Sequence, residues 1–143
     1  MSYLLDTCVI SELASKRAEP AVVRFIDGID PEKAFLSALT IGEIQKGIEK
    51  ARDERRKEFL EAWLRDDLLI RFRSQILLLD LAVLRTWGSL VGRLEREGTP
   101  MPAVDSLIAA TALHHQLMLV TRNVDDFAHS GVRLLNPWQD AES

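Results

Sequence analysis

The chain has 143 residues, 47% hydrophobic and 28% charged, which suits one domain with one core over residues 1–143. A net charge of −4 and a pI near 5.4 argue against a nucleic-acid coat protein, but not against an enzyme whose acidic pocket works on nucleic acid. No apolar run reaches the roughly 20 residues that cross a bilayer, the start carries no secretory signature, and Cys8 has no second cysteine to pair with, so a cytoplasmic protein without membrane contact is expected.

Tyr3 to Leu5 reads as a short buried strand that ends at Asp6. Val9 to Ser15 reads as a helix, and Val22, Val23, Phe25 and Ile26 mark a second one that stops near Gly28. Phe35 to Ser37 is the next strand. Thr40-Ile41-Gly42-Glu43 has capping-box spacing, with Leu39 and Ile44 as its hydrophobic staple. Helix is then expected to continue from Glu49 to Arg73, with Phe59, Leu60, Trp63 and Leu64 on its apolar face. Its basic residues alternate with Glu49, Asp53, Glu54, Glu58 and Glu61 at helical pairing distances, the pattern of a solvated face. Ile76 to Leu79 is a third strand. Asp80 caps a helix over Leu81 to Arg96, and Gly98 stops it. A helix over Val104 to His115 leads to strands at Leu117 to Thr121 and Val132 to Leu134. The alternation predicts an α/β fold, a three-layer α/β/α arrangement around a mostly parallel, short-stranded sheet.

Asp6, Glu43, Asp105 and the Asp125–Asp126 pair each follow a short apolar run or open a helix. Taken singly, each has an ordinary role. Asp6 and Glu43 suit caps, Asp105 suits a first helical turn, and Asp125 and Asp126 suit a turn. Taken together, they fall on the rim of the sheet where the carboxyl ends of the strands lie. Several carboxylates at one point repel one another unless a countercharge is present, and a hard divalent cation supplies it. Ser106 and Thr121 are hydroxyls within sequence reach of that pocket, with capping or backbone bonding as their alternative roles. Trp87 and Trp138 read as packing residues.

Four runs carry a resemblance. Leu4-Leu5-Asp6-Thr7-Cys8-Val9-Ile10-Ser11-Glu12-Leu13 is an opening in which an aspartate ends the first strand. Ser37-Ala38-Leu39-Thr40-Ile41-Gly42-Glu43-Ile44-Gln45-Lys46-Gly47 holds a glutamate, and Asp105-Ser106-Leu107-Ile108-Ala109-Ala110-Thr111-Ala112 a central aspartate. Leu119-Val120-Thr121-Arg122-Asn123-Val124-Asp125-Asp126-Phe127 closes the set. In this order and at these intervals they resemble the PIN-domain ribonucleases, in particular the VapC toxins of type II toxin–antitoxin modules, over nearly the whole chain.

The resemblance implies a PIN-like fold and a metal-dependent endoribonuclease. Asp6 and Asp105 would hold Mg2+, with Mn2+ as a substitute, and Glu43 would orient or deprotonate the attacking water. The family often has asparagine at the position of Cys8 and a fourth acid at that of Asn123, so Asp126 is expected to complete the catalytic set. Thr7, Ser106, Thr121, Arg122 and Asn123 are the expected substrate-binding or supporting residues, with Arg122 the rim cation nearest in sequence. The implied partners are an RNA substrate, a cognate VapB-type antitoxin with a basic tail, and a second copy of the chain, the apolar residues near Phe59 and Trp63 being candidate contacts. His114, His115 and His129 are given no catalytic part. A haloacid-dehalogenase phosphatase would need an aspartate where Cys8 stands, and a response-regulator receiver would need a lysine near Arg122. The remaining alternative is a non-catalytic module of the same fold that binds a basic partner in its acidic pocket.

Overall fold

A computed structural model describes residues 1–139; the expected domain's last four positions, 140–143, lie outside the described residues. Five parallel strands form one sheet in the order β3-β2-β1-β4-β5. They are β1 (Tyr3–Leu5), β2 (Ala34–Ser37), β3 (Ile76–Leu77), β4 (Met118–Val120) and β5 (Leu134–Leu135). The helices are α1 (Thr7–Leu13), α2 (Pro20–Gly28), α3 (Ala38–Lys50), α4 (Glu54–Trp63), α5 (Leu69–Arg71), α6 (Leu81–Arg96) and α7 (Ala103–His115).

The chain starts at the sheet centre, winds outward through β2 to β3, then returns to the other side of β1 for β4 and β5. Parallel crossovers are right-handed, so this reversal sends the two sets of helices to opposite faces. Each face therefore has its own core. Leu5, Val120 and Leu36 meet Val9, Ile10, Val22, Ile26, Ile44 and Ile48 on one side. Leu4 and Leu119 meet Leu90, Leu94, Ile108, Ala109 and Ala112 on the other. Neighbours along a strand point to opposite faces, so a strand buried on both reads as an unbroken apolar run. The three alanines at 109, 110 and 112 are fully buried and let α7 press closely on the sheet.

Several boundaries differ from expectation. Helix α3 starts at Ala38, with Ser37 as its cap: the Ser37 hydroxyl accepts from the Leu39 N–H at 3.1 Å. The strand ends at Ser37, so the nearest hydroxyl takes the capping role and Thr40 is carried into the first turn. The expected capping box at Thr40 and Glu43 is therefore absent. The helical stretch from Glu49 to Arg73 is not continuous. Residues 51–53 are extended, and Asp53 caps α4 by accepting from the Arg55 and Arg56 N–H groups. A π-helical turn at Leu64–Leu68 follows α4 and turns Leu64 and Leu68 into the core. Leu60 and Trp63 pack on that core, but Phe59 is 52% exposed. Asp80 caps α6 as expected, and Gly98, at φ +74, supplies the left-handed residue after it. Gln116 does the same after α7 at φ 57, a stop the sequence does not advertise. Strand β5 lies at Leu134–Leu135, two residues later than expected at its start.

Candidate active site

The topological reversal lies between β1 and β4, where loops diverge to opposite faces and leave a crevice at the carboxyl ends of the strands. Asp6 stands at the end of β1 and Thr121 at the end of β4. Glu43 lies on α3, just past β2, and Asp105 in the first turn of α7. Asp126 lies in a 3-10 turn over Val124–Phe127.

Asp6 is buried and tightly held. One oxygen accepts from the Thr7 N–H at 2.8 Å, which caps α1. The other accepts from the Thr121 hydroxyl at 2.8 Å, and the Cys8 thiol lies 3.8 Å from it as a weak donor. Burial pushes the Asp6 carboxyl above its usual range; those bonds oppose the shift, and the charge of Glu43 adds to it. Burial also raises the Cys8 thiol, so Cys8 stays protonated and serves as a donor, not a nucleophile. Its sulfur accepts in turn from the Arg122 N–H at 3.5 Å, tying the β4 exit to the start of α1.

Glu43 is positioned by a second hydroxyl relay. The Thr7 hydroxyl lies 2.5 Å from Glu43 Oε1 and 3.0 Å from the Thr40 hydroxyl. A hydroxyl has one proton, and a carboxylate is the stronger acceptor, so Thr7 donates to Glu43. Thr40 and Glu43 are three apart on α3 and share a face. That spacing is visible in the sequence, where it reads equally well as a capping box.

Asp105 is half-buried. Burial raises its carboxyl first, and the charges of Asp6, Asp126 and Glu43 raise it further. Four acids far apart in sequence thus share one electrostatic site. Among the described residues the ion pairs are Lys57–Glu49, Arg65–Asp66 and Arg93–Glu97, none of them at this cluster. Among the described residues, no three acidic, histidine or cysteine side chains close into a ready-made cage for an ion. All-oxygen donors in a loose, mutually repelling set fit a hard divalent cation that keeps several waters and takes one or two carboxylates directly.

The supporting residues divide. Thr7 and Thr121 hold carboxylates. Ser106 does not serve the pocket: its buried hydroxyl donates to Ala103 O at 2.7 Å and accepts from the Trp87 indole at 2.9 Å, spending it on the α6–α7 contact. Asn123 is exposed, and its N–H donates to the Thr121 hydroxyl at 3.1 Å. Arg122 is exposed with its guanidinium 5.2 Å from the Trp138 ring centre. Asp125 is exposed and is not among the charges acting on Asp105, unlike its neighbour Asp126. Thr40, Cys8 as a donor, and Trp138 are the participants that sequence reasoning missed.

Residues 3–131 match the family model described as "PIN domain", a span that includes all four coupled acids. The VapC ribonuclease Y4jK of Sinorhizobium fredii is 32% identical over 96% of this chain and 99% of its own length. Toxin FitB of Neisseria gonorrhoeae is 33% identical, again over 96% and 99%. The crystal structure of FitAcB from Neisseria gonorrhoeae superposes with a TM-score of 0.91 at 32% identity, over 96% of this chain and 99% of that one. The doubly wound parallel sheet, the acids gathered at its switch point and these near full-length matches agree: this chain belongs to the PIN domain family.

Proposed function

We propose that this chain is a metal-dependent endoribonuclease and the toxin of a type II toxin–antitoxin module, cleaving RNA phosphodiester bonds with water. The observation that carries this reading is the gathering of acids at the carboxyl ends of the strands, where Thr7 bonds Asp6 through its N–H and Glu43 through its hydroxyl and Asp105 opens α7 in the same electrostatic field. The relatives named a VapC ribonuclease and a toxin support the reaction and the biological role.

When bound, Mg2+, or Mn2+ in its place, neutralises a phosphate oxygen and makes a neighbouring water more acidic. The protein's residues do the rest. Asp6 and Asp105 would hold the cation, and Thr121, Cys8 and the Thr7 N–H keep Asp6 fixed. Glu43, steadied by Thr7, orients the attacking water and takes its proton. The water attacks phosphorus in line and the 3′-oxygen leaves. Asp126 would supply the fourth negative group, a reading supported by its effect on the Asp105 carboxyl. The cleft lined by Ala14, Glu43, Ile44, Ile48, Leu60 and Trp63 opens beside Glu43 and suits an antitoxin segment whose basic end enters the acid pocket.

Asp105→Asn should fold normally and lose metal-dependent cleavage by about 100-fold or more, and chelation should match it. A purified variant cutting RNA at near wild-type rate rejects the mechanism. Asp126→Ala should lower kcat about tenfold or more, and Asn123→Ala by less than about twofold. The reverse order would move the fourth group to Asn123.

A further inference from the structure

Arg122 is a cation at the edge of an acidic site that makes no ion pair with it. Its backbone N–H is bonded to Cys8, and the preceding residue, Thr121, is bonded to Asp6. The backbone is thus held beside Asp6 while the side chain is exposed. The guanidinium lies over Trp138.

Trp138 is fixed from below. Its ring packs on the core shared by β1, β2 and β4, and the residue's backbone N–H donates to Asn136 Oδ1 at 2.9 Å. Asn136 is buried, and the adjacent Leu135 carbonyl accepts from the Thr121 N–H at 3.0 Å. The ring is thus tied to the strand end that also carries Arg122. Stacking engages the face of a guanidinium and leaves the N–H groups on its edge free to donate. It also removes rotamer freedom before any ligand arrives, which lowers the cost of binding.

We propose that Arg122, held on Trp138, clamps a backbone phosphate of the RNA beside the scissile bond, with Trp138 as its positioning residue. The inference rests on the ribonuclease reading and adds to it a contact and its geometry. Charge favours the assignment: a polyanion entering a pocket of carboxylates needs a cation at its edge. Arginine also suits a phosphate better than lysine does, through its planar fork of donors.

The test is steady-state cleavage of a single-stranded RNA oligonucleotide by the full chain, at several salt concentrations. Arg122→Ala should raise KM about tenfold, leave kcat within about twofold, and reduce the slope of log KM against log salt by about 0.7, the loss of one single-strand phosphate contact. Trp138→Leu keeps the charge and should still raise KM severalfold, while Trp138→Phe restores most of the loss. Combining Arg122→Ala with Trp138→Leu should be no worse than Arg122→Ala alone, because the ring acts only through the guanidinium. The Mg2+ activation midpoint should stay unchanged in all of them. Additive KM effects, a kcat loss without a KM change, or an effect confined to antitoxin affinity would each overturn the clamp while leaving the nuclease standing. Absence of metal-dependent RNA cleavage by the wild-type chain would overturn both.

Discussion

At the scale of single residues, the informative contrast is between the acids and the groups that hold them. Asp6 stands after the apolar run Tyr3-Leu4-Leu5, and that adjacency alone put it at a strand end. Its partners could not be read the same way. Thr121 is 115 positions away and Cys8 two, and only the pairing of β1 with β4 brings their side chains to the same carboxylate. At position 8 a thiol takes up a weak donor's role toward Asp6. Thr121→Val is close in volume but deletes the stronger donor to a buried carboxylate. Leaving such an acceptor short of a partner costs about 1–3 kcal/mol. The expected outcome is a fall of about 2–4 °C in Tm per kcal/mol lost, together with a weaker Mg2+ activation midpoint. Cys8→Ser, which retains a donor, should keep activity within about threefold, and Cys8→Ala should lose more. Equal activity in both Cys8 variants would remove the thiol from the network.

At the scale of elements, local signals compete and the nearest hydroxyl wins. Asp80 was legible as a cap because it stands alone between a strand and an amphipathic run, and its carboxylate accepts from the Val83 N–H at 3.0 Å. Near α3 two hydroxyls stand three residues apart, and the capping-box spacing points to Thr40 as the cap. Ser37 takes the cap, and Thr40 is thereby freed to meet Thr7. The break at 51–53 carries no clear sequence signal, because Asp53 sits inside a charge-rich stretch that reads as continuous helix. These two caps should separate stability from function. Asp80→Ala is expected to cost about 1 kcal/mol, and Tm about 2–4 °C, without altering cleavage. Ser37→Ala should cost a similar amount and also lower kcat, since α3 carries Glu43. Thermal melts and cleavage rates on the same preparations decide it, and a loss of activity in Asp80→Ala would tie α6 to the site as well.

At the scale of the whole molecule, the fold creates an electrostatic debt at its switch point, and that debt has a measurable pH dependence. The fold class and the mostly parallel sheet were legible from the alternation of strands and helices, but the strand order, with its reversal between β1 and β4 that gathers the acids, was not. Asp6 and Asp105 both have carboxyl pKa values raised from the ordinary 3.8. An acid with a higher pKa in the folded state binds protons more tightly there. Its contribution to stability is complete below the unfolded value and is lost as pH rises through the folded value. Without metal, these two groups should therefore destabilise the chain progressively as pH climbs above 3.8, until both are ionised. A divalent cation relieves repulsion only between ionised carboxylates. The gain in Tm on adding Mg2+ should then be small near pH 4, grow with pH, and level off once both carboxyls are ionised. Asp105→Asn removes one of the repelling charges. It should raise the metal-free Tm at neutral pH by a few degrees and shrink the Mg2+ gain, the opposite of what an ordinary loss-of-contact mutation does. Thermal melts with Mg2+ and with chelator, taken from about pH 4 to about pH 8, test this directly. A Mg2+ gain that does not vary with pH, or a metal-free Asp105→Asn chain less stable than wild type, would mean that the carboxylates are not strained against one another and that the cation is not held by them.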